Sequence, residues 1–225
     1  MRKKAVDYRQ FRLKKLNDPQ FSHLKLLFGW VVYLVFFYLT ERFIPAEICH
    51  PVHIFLDDLI PFCEWFFIPY VFWYGLIVYS LVWFALYNVD GFRRLQTYIM
   101  LTQLVAVMAY ILYPTRQDLR PVSFLNDNLL TRGVGFLYAI DTNTGVCPSL
   151  HVAYSLGILS VWWKEKSVHL GWKIVLLVWV VLICLSTVFL KQHSALDFFA
   201  ALPVCLLAEA IVYRDRYFRK KASPG

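Results

Sequence analysis

Long apolar runs separated by short charged segments set the pattern of this chain. Six stretches approach or reach the roughly 20 residues that a bilayer crossing needs. They are 25–40, 65–87, 95–113, 148–163, 173–190 and 198–213. The first and fourth are short and are expected to extend into flanking residues or to tuck against neighbours. Pro69 and Pro203 fall inside spans, where adjacent helices can re-satisfy the freed backbone groups. Between the spans, segment 41–64 has amphipathic stretches suited to an interface, 114–147 is a long loop, and 191–197 is a short turn. The pattern predicts an all-α fold: a polytopic membrane protein with a six-transmembrane-helix bundle over residues 25–213. A basic N-terminal segment (1–24) and a basic tail (214–225) flank it. No internal repeat is present, which argues against a repeat-built transporter.

Composition supports this. Of the 225 residues, 59% are hydrophobic and 17% charged, more apolar mass than one soluble core hides. The 8 Trp, 14 Tyr and 19 Phe suit aromatic belts at lipid–water interfaces. Charge then orients the chain. With the N-terminus inside, the cytoplasmic pieces hold 18 of the 23 Lys and Arg, and the outer face keeps Arg42, Arg116, Arg120, Arg132 and Lys191. The positive-inside rule therefore predicts two cytoplasmic termini. The basic N-terminus suits anionic lipid, and nothing else in the chain points to nucleic acid. It is not followed by a short apolar stretch with a cleavage site, so the first span is expected to act as its own insertion signal. There is no Asn-x-Ser/Thr acceptor, which points toward a bacterial plasma membrane. Cys49, Cys63 and Cys147 fall on the predicted outer side, where any two could pair. No CxxC pair suggests zinc.

Polar groups near lipid are costly, so polar clusters that share one membrane depth need a reason. Three lie at the outer ends of the predicted spans: Tyr113-Pro-Thr-Arg116-Gln-Asp-Leu-Arg120-Pro121, Cys147-Pro148-Ser149-Leu150-His151, and Lys191-Gln-His193-Ser-Ala-Leu-Asp197. His193 and Asp197 are four apart, so they share a helix face. A carboxylate there fixes the tautomer of the imidazole and frees its other nitrogen as a nucleophile. His151, at a helix start, is placed to protonate a departing oxygen. Backbone N–H groups there, with Ser149, suit an anion, and Arg116, Arg120 and Lys191 supply positive charge for phosphate. No carboxylate cluster for magnesium adjoins the histidines, so neither metal nor cofactor is expected.

These clusters resemble the signature of the type 2 phosphatidic acid phosphatase superfamily, which includes lipid phosphatases and the inositol-phosphorylceramide and sphingomyelin synthases. That signature reads Lys-x6-Arg-Pro, then Pro-Ser-Gly-His, then Ser-Arg-x5-His-x3-Asp. Here Arg120-Pro121, Pro148-Ser149-Leu150-His151 and Ser186-Thr187-x5-His193-x3-Asp197 follow in the same order. The resemblance implies that His193 is the nucleophile that forms a phosphohistidine, Asp197 its orienting group, and His151 the general acid. The family's opening Lys falls at Tyr113 and its third-motif Arg at Thr187. Leu150 in place of Gly, with Lys191-Gln192-His193, is closer to the synthase-like branch. The function implied is hydrolysis of a lipid phosphomonoester or diphosphate, or transfer of a lipid head group to a lipid acceptor.

Blander readings exist for each feature. Ser194 to Asp197 also fits a capping box, and Arg116 and Arg120 also fit interfacial anchors. His53-Ile-Phe-Leu-Asp57 repeats the His-x3-Asp spacing, with His50 and Asp58 alongside. It reads as a surface helix that shapes the substrate entrance, with a metal site as the alternative. Asp141 and Asn143 are candidates to touch a head group, and Glu209 is expected to pair with a base such as Arg214.

Overall fold

Helix α1 (Phe28–Phe43) continues a 3-10 stretch over Ser22–Leu27 and carries the chain along one side of a helical bundle. The computed structural model describes residues 4–217, so Arg2, Lys3, Arg219, Lys220 and Lys221 of the predicted basic ends lie outside the described residues. After α1 come a short helix α2 (Phe55–Leu59), then α3 (Phe67–Tyr87), α4 (Val89–Leu112) and α5 (Leu129–Ile140). The bundle is completed by α6 (Leu150–Lys164), α7 (Leu170–Phe189) and α8 (Ala195–Val212). Two two-residue strands, β1 (His50–Pro51) and β2 (Thr115–Arg116), pair in parallel and tie segment 41–64 to the loop after α4.

This is an all-α membrane protein. Among the described residues, five helical stretches are long and apolar enough to cross a bilayer: Ser22–Phe43, Glu64–Tyr87, Val89–Leu112, Leu170–Phe189 and Ala195–Val212. Large apolar side chains such as Val31, Phe36, Val78, Val178 and Leu206 stand exposed on their outer faces. Such a surface is stable only against lipid or another apolar partner. The fourth predicted span is realised as α6. Its 15 residues make about 22 Å, against a hydrocarbon thickness of about 30 Å.

The shortness of α6 goes with its position. It packs against α4, α7 and α8, and Val152, Ala153, Tyr154, Ser155, Ile158 and Val161 are all buried. A helix buried on nearly every side is surrounded by protein rather than lipid. Small residues let its neighbours close in: a Cβ on Gly157 would lie 2.5 Å from the ring of Tyr98 on α4. Trp30 on α1 donates to Gln96 on α4 (3.1 Å), and Trp162 on α6 donates to Ser80 on α3 (3.0 Å).

Three sequence expectations change in detail. Helix α4 begins six residues before the predicted 95, because Asn88 caps it and accepts from Gly91 N. The loop 114–147 contains a helix, α5, whose cap is Asn128 with Thr131. Glu209 pairs with Lys164 across α6 and α8 (2.6 Å) rather than with Arg214.

Candidate active site

The N-terminus of α6 and the turn between α7 and α8 meet at one end of the bundle. Leu190 N returns to Ser186 O, and both Gln192 N and His193 N donate to Thr187 O (3.0 Å each), so the chain reverses tightly before α8 starts. Ser194 caps α8, accepting from Leu196 N, and Asp197 Oδ2 accepts from Ser194 N (3.0 Å). The capping box therefore exists, and the same Asp197 Oδ2 also contacts His193 Nδ1 at 3.1 Å. One fully buried carboxylate does both jobs. Ser149 N donates to Asp197 O (3.2 Å), which joins the second cluster to the third through the backbone.

Across this join the rings of His151 and His193 face each other edge to face, with centroids 5.5 Å apart. His193 is turned by Asp197 so that its Nε2 is the free nitrogen. His151 is packed between two side chains of α3, its ring 4.6 Å from Tyr70 and 4.1 Å from Trp73. Around the pair, several buried polar atoms lack a protein partner: Tyr70 OH, Trp73 Nε1, Ser149 Oγ, His151 Nε2, Gln192 Nε2 and Arg120 Nε. A buried polar atom without a partner costs roughly 1–3 kcal/mol, and several side by side mark a place for a polar ligand. All six can donate a hydrogen bond, against one buried unpartnered acceptor, Asp197 Oδ1, so the complementary ligand is rich in acceptors.

The sequence-derived phosphate contacts divide. Ser149 is fully buried beside the pair. Arg120 holds the wall of the site, donating to Tyr138 O, Asp141 O, Thr142 O and Gln192 Oε1 (2.6 Å to the last), with Tyr138 stacked beneath its guanidinium. Arg116 is not brought to the pair. It is spent on Asp118 and Ala46 O, where it ties β2 to the segment after α1. Nor is Lys191, whose ammonium donates to Asp57 O and Ile60 O on the far side of the turn. Tyr113, at the family's opening Lys, stacks on His50 (4.2 Å). Thr187, at the family's Arg, is buried with its hydroxyl donating to Cys184 O.

Burial pushes the Asp141 carboxyl up, against the opposing pull of Arg120 and then His193. Burial pushes the Cys147 thiol up to about 12, so it is a poor nucleophile despite its place beside the site. Asn143 donates to Gln117 O and Asp118, and so braces the loop rather than facing the pair. Cys49, Cys63 and Cys147 are free thiols. The second His-x3-Asp spacing does not gather a metal site: His53 pairs with Asp58 (2.8 Å) while Asp57 turns inward. Among the described residues no three His, Cys, Asp or Glu side chains converge.

Below the pair lies a cavity of about 560 Å³. Its upper end is polar, formed by Asp141, Thr142, Thr144, Gln192, His151 and His193. Its walls are apolar, with Trp30, Tyr33 and Phe37 of α1 facing Trp73, Tyr74, Ile77 and Leu81 of α3. From Trp73 to Leu81 the α3 wall runs eight residues, about 12 Å. Sequence patterning alone did not separate Tyr70 and Trp73 from the lipid-facing aromatics of α3. Set against family models, curated proteins and solved structures, the chain matches none.

Proposed function

We propose that this protein is an integral membrane lipid phosphatase that removes phosphate from a lipid phosphomonoester or diphosphate through a phosphohistidine on His193. The observation that carries this reading is the 5.5 Å meeting of two imidazoles from separate helices, one backed by a buried carboxylate and the other among unpartnered donors. The chemistry follows from these groups. The lone pair of His193 Nε2 forms a bond to phosphorus while the bond to the leaving oxygen breaks. His151 gives its proton to that oxygen. Asp197 holds the Nδ1 proton and offsets the charge that develops on the ring. In the second step water attacks phosphorus, His151 accepts a water proton, and the N–P bond breaks to release phosphate. Donors already fixed around the phosphate supply the electrostatic part. The resemblance to the type 2 phosphatidic acid phosphatase signature supports the same roles, and the chemistry proposed needs no metal or cofactor.

The cavity supports a lipid rather than a soluble ester. Its polar end suits a phosphate and its apolar walls a hydrocarbon chain, so the ligand it complements is amphiphilic. The charge bias supports a site on the outer face, with α6 as a sixth crossing and both termini cytoplasmic, and the lack of an Asn-x-Ser/Thr acceptor supports a bacterial plasma membrane. Entry is then sideways from the outer leaflet, between α1 and α3.

The test is purified protein with a panel of lipid phosphates in mixed micelles, with and without EDTA, and all products analysed by mass spectrometry. Release of inorganic phosphate, lost in His193→Ala and indifferent to EDTA, is expected. A new phospholipid without phosphate release assigns the head-group transfer reaction instead, in which a lipid hydroxyl replaces water in the second step. Turnover unaltered by His193→Ala refutes both.

A further inference from the structure

The second His-x3-Asp spacing, at His53 and Asp57, has no task in the chemistry above. Asp57 nevertheless is 3% exposed, a rare position for a carboxylate unless it is fully bonded. Its Oδ2 accepts from Ser194 Oγ (2.6 Å) and Ile54 N (2.8 Å), and its Oδ1 accepts from Ala195 N (2.7 Å). Ser194 is the N-cap of α8 and Ala195 its first residue, next to His193. The contact crosses 137 residues of sequence.

A helix N-terminus leaves several N–H groups unpaired, and one capping side chain usually serves. Here α8 has its own cap in Ser194 and its own capping carboxylate in Asp197, yet a second buried carboxylate arrives from α2. The opposite end of the turn is held by the same segment. Lys191 has a left-handed φ of 54°, unfavourable for a side-chain-bearing residue, and its ammonium is bound to carbonyls of α2 and its end. Cys63 N donates to Phe189 O (3.1 Å) just before it. Segment 54–63 therefore clasps the turn 189–195 at both ends, with His193 between.

We propose that Asp57 is a positioning residue for the nucleophile, and that α2 is an external clasp that keeps His193 facing His151; this rests on the phosphoryl-transfer reading. Asp57 acts through Ser194 and Ala195 on the ring's placement.

Orthovanadate mimics a phosphoryl group in transfer and bonds to the attacking nucleophile, so its binding reports the placement of His193 without a known lipid. Vanadium NMR on the full chain in detergent, across the neutral pH range, is the measurement. Wild type is expected to bind and His193→Ala to lose binding. Asp57→Asn is expected to bind about tenfold more weakly, the order seen when an outer-shell partner of a functional imidazole is removed. The bound vanadium resonance should also shift, because the nitrogen that meets the metal is displaced. A merely structural Asp57 would lower the yield of folded protein and leave affinity and bound resonance of the remainder unchanged; that result overturns the proposal. If Asp57→Asn does not fold, Ser194→Ala removes the hydroxyl that joins Asp57 to the turn, and the same weakening in smaller degree is required. No vanadate binding by wild type, or full binding by His193→Ala, overturns the phosphoryl-transfer reading itself. Loss in His193→Ala beside an unchanged Asp57→Asn overturns only the role of Asp57.

Discussion

Tyr70 carries the clearest cost at the residue scale. Its hydroxyl is fully buried without a partner, while its ring packs on His151. A group kept at such cost serves a ligand, so Tyr70→Phe is expected to raise folding stability by roughly 1 kcal/mol and to lower turnover about tenfold. Thermal unfolding and steady-state rates on the same preparation check this. Lower stability with unchanged turnover would make the hydroxyl structural. Asp141 gives a pH prediction. Burial raises its carboxyl pKa, so its negative charge disappears earlier than usual as pH falls, and repulsion of a bound anion fades with it. Asp141→Asn should therefore bind vanadate more tightly than wild type at high pH, by a ratio that shrinks toward one as pH falls; a charge at several ångströms is worth about 1 kcal/mol. A ratio flat with pH contradicts it. The His193–Asp197 contact was legible in the sequence because helical geometry fixes the relation of residues four apart. Arg116 and Lys191 were not, because proximity in sequence says nothing of which carbonyl or carboxylate a long side chain finds first.

At the scale of elements, α6 connects packing to the site. Its all-round burial permits a helix shorter than a lipid-facing span, and its N-terminus is where His151 and Ser149 meet α8. Gly157 sets how closely α6 and α4 approach. Gly157→Ala is expected to destabilise by about 1–3 kcal/mol, since the Tyr98 ring must give way, and the thermal midpoint in detergent measures it. An unchanged midpoint would mean that Tyr98 swings aside freely. The long apolar helices were legible because lipid imposes length and composition on them. Helix α5 was hidden inside a long loop because it is too short to span, although Asn128 and Thr131 cap it and Val134 and Leu137 share its buried face. The task of α2 was hidden too, because capping of α8 by Asp57 depends on tertiary contact alone.

For the whole molecule, the predicted helical membrane fold holds. Three separated clusters meet at one end of the bundle, joined by Arg120 to Gln192 and by Ser149 N to Asp197 O. The proposed orientation has its own test. Val122→Cys, fully exposed in the loop after α4, should react with a membrane-impermeant maleimide on intact cells, whereas Lys166→Cys between α6 and α7 should react only after permeabilisation. The reverse pattern would put the site on the inner face. The central claim is chemical, and trapping the covalent intermediate tests it most directly. Phosphatidic acid and a polyprenyl diphosphate, each radiolabelled in phosphate, are mixed with purified protein, quenched in alkali within one turnover, and the labelled residue is mapped by mass spectrometry. The account predicts an alkali-stable, acid-labile phosphoryl group on His193 that His193→Ala abolishes. Label on any other residue, or phosphate release by His193→Ala at the wild-type rate, would contradict it.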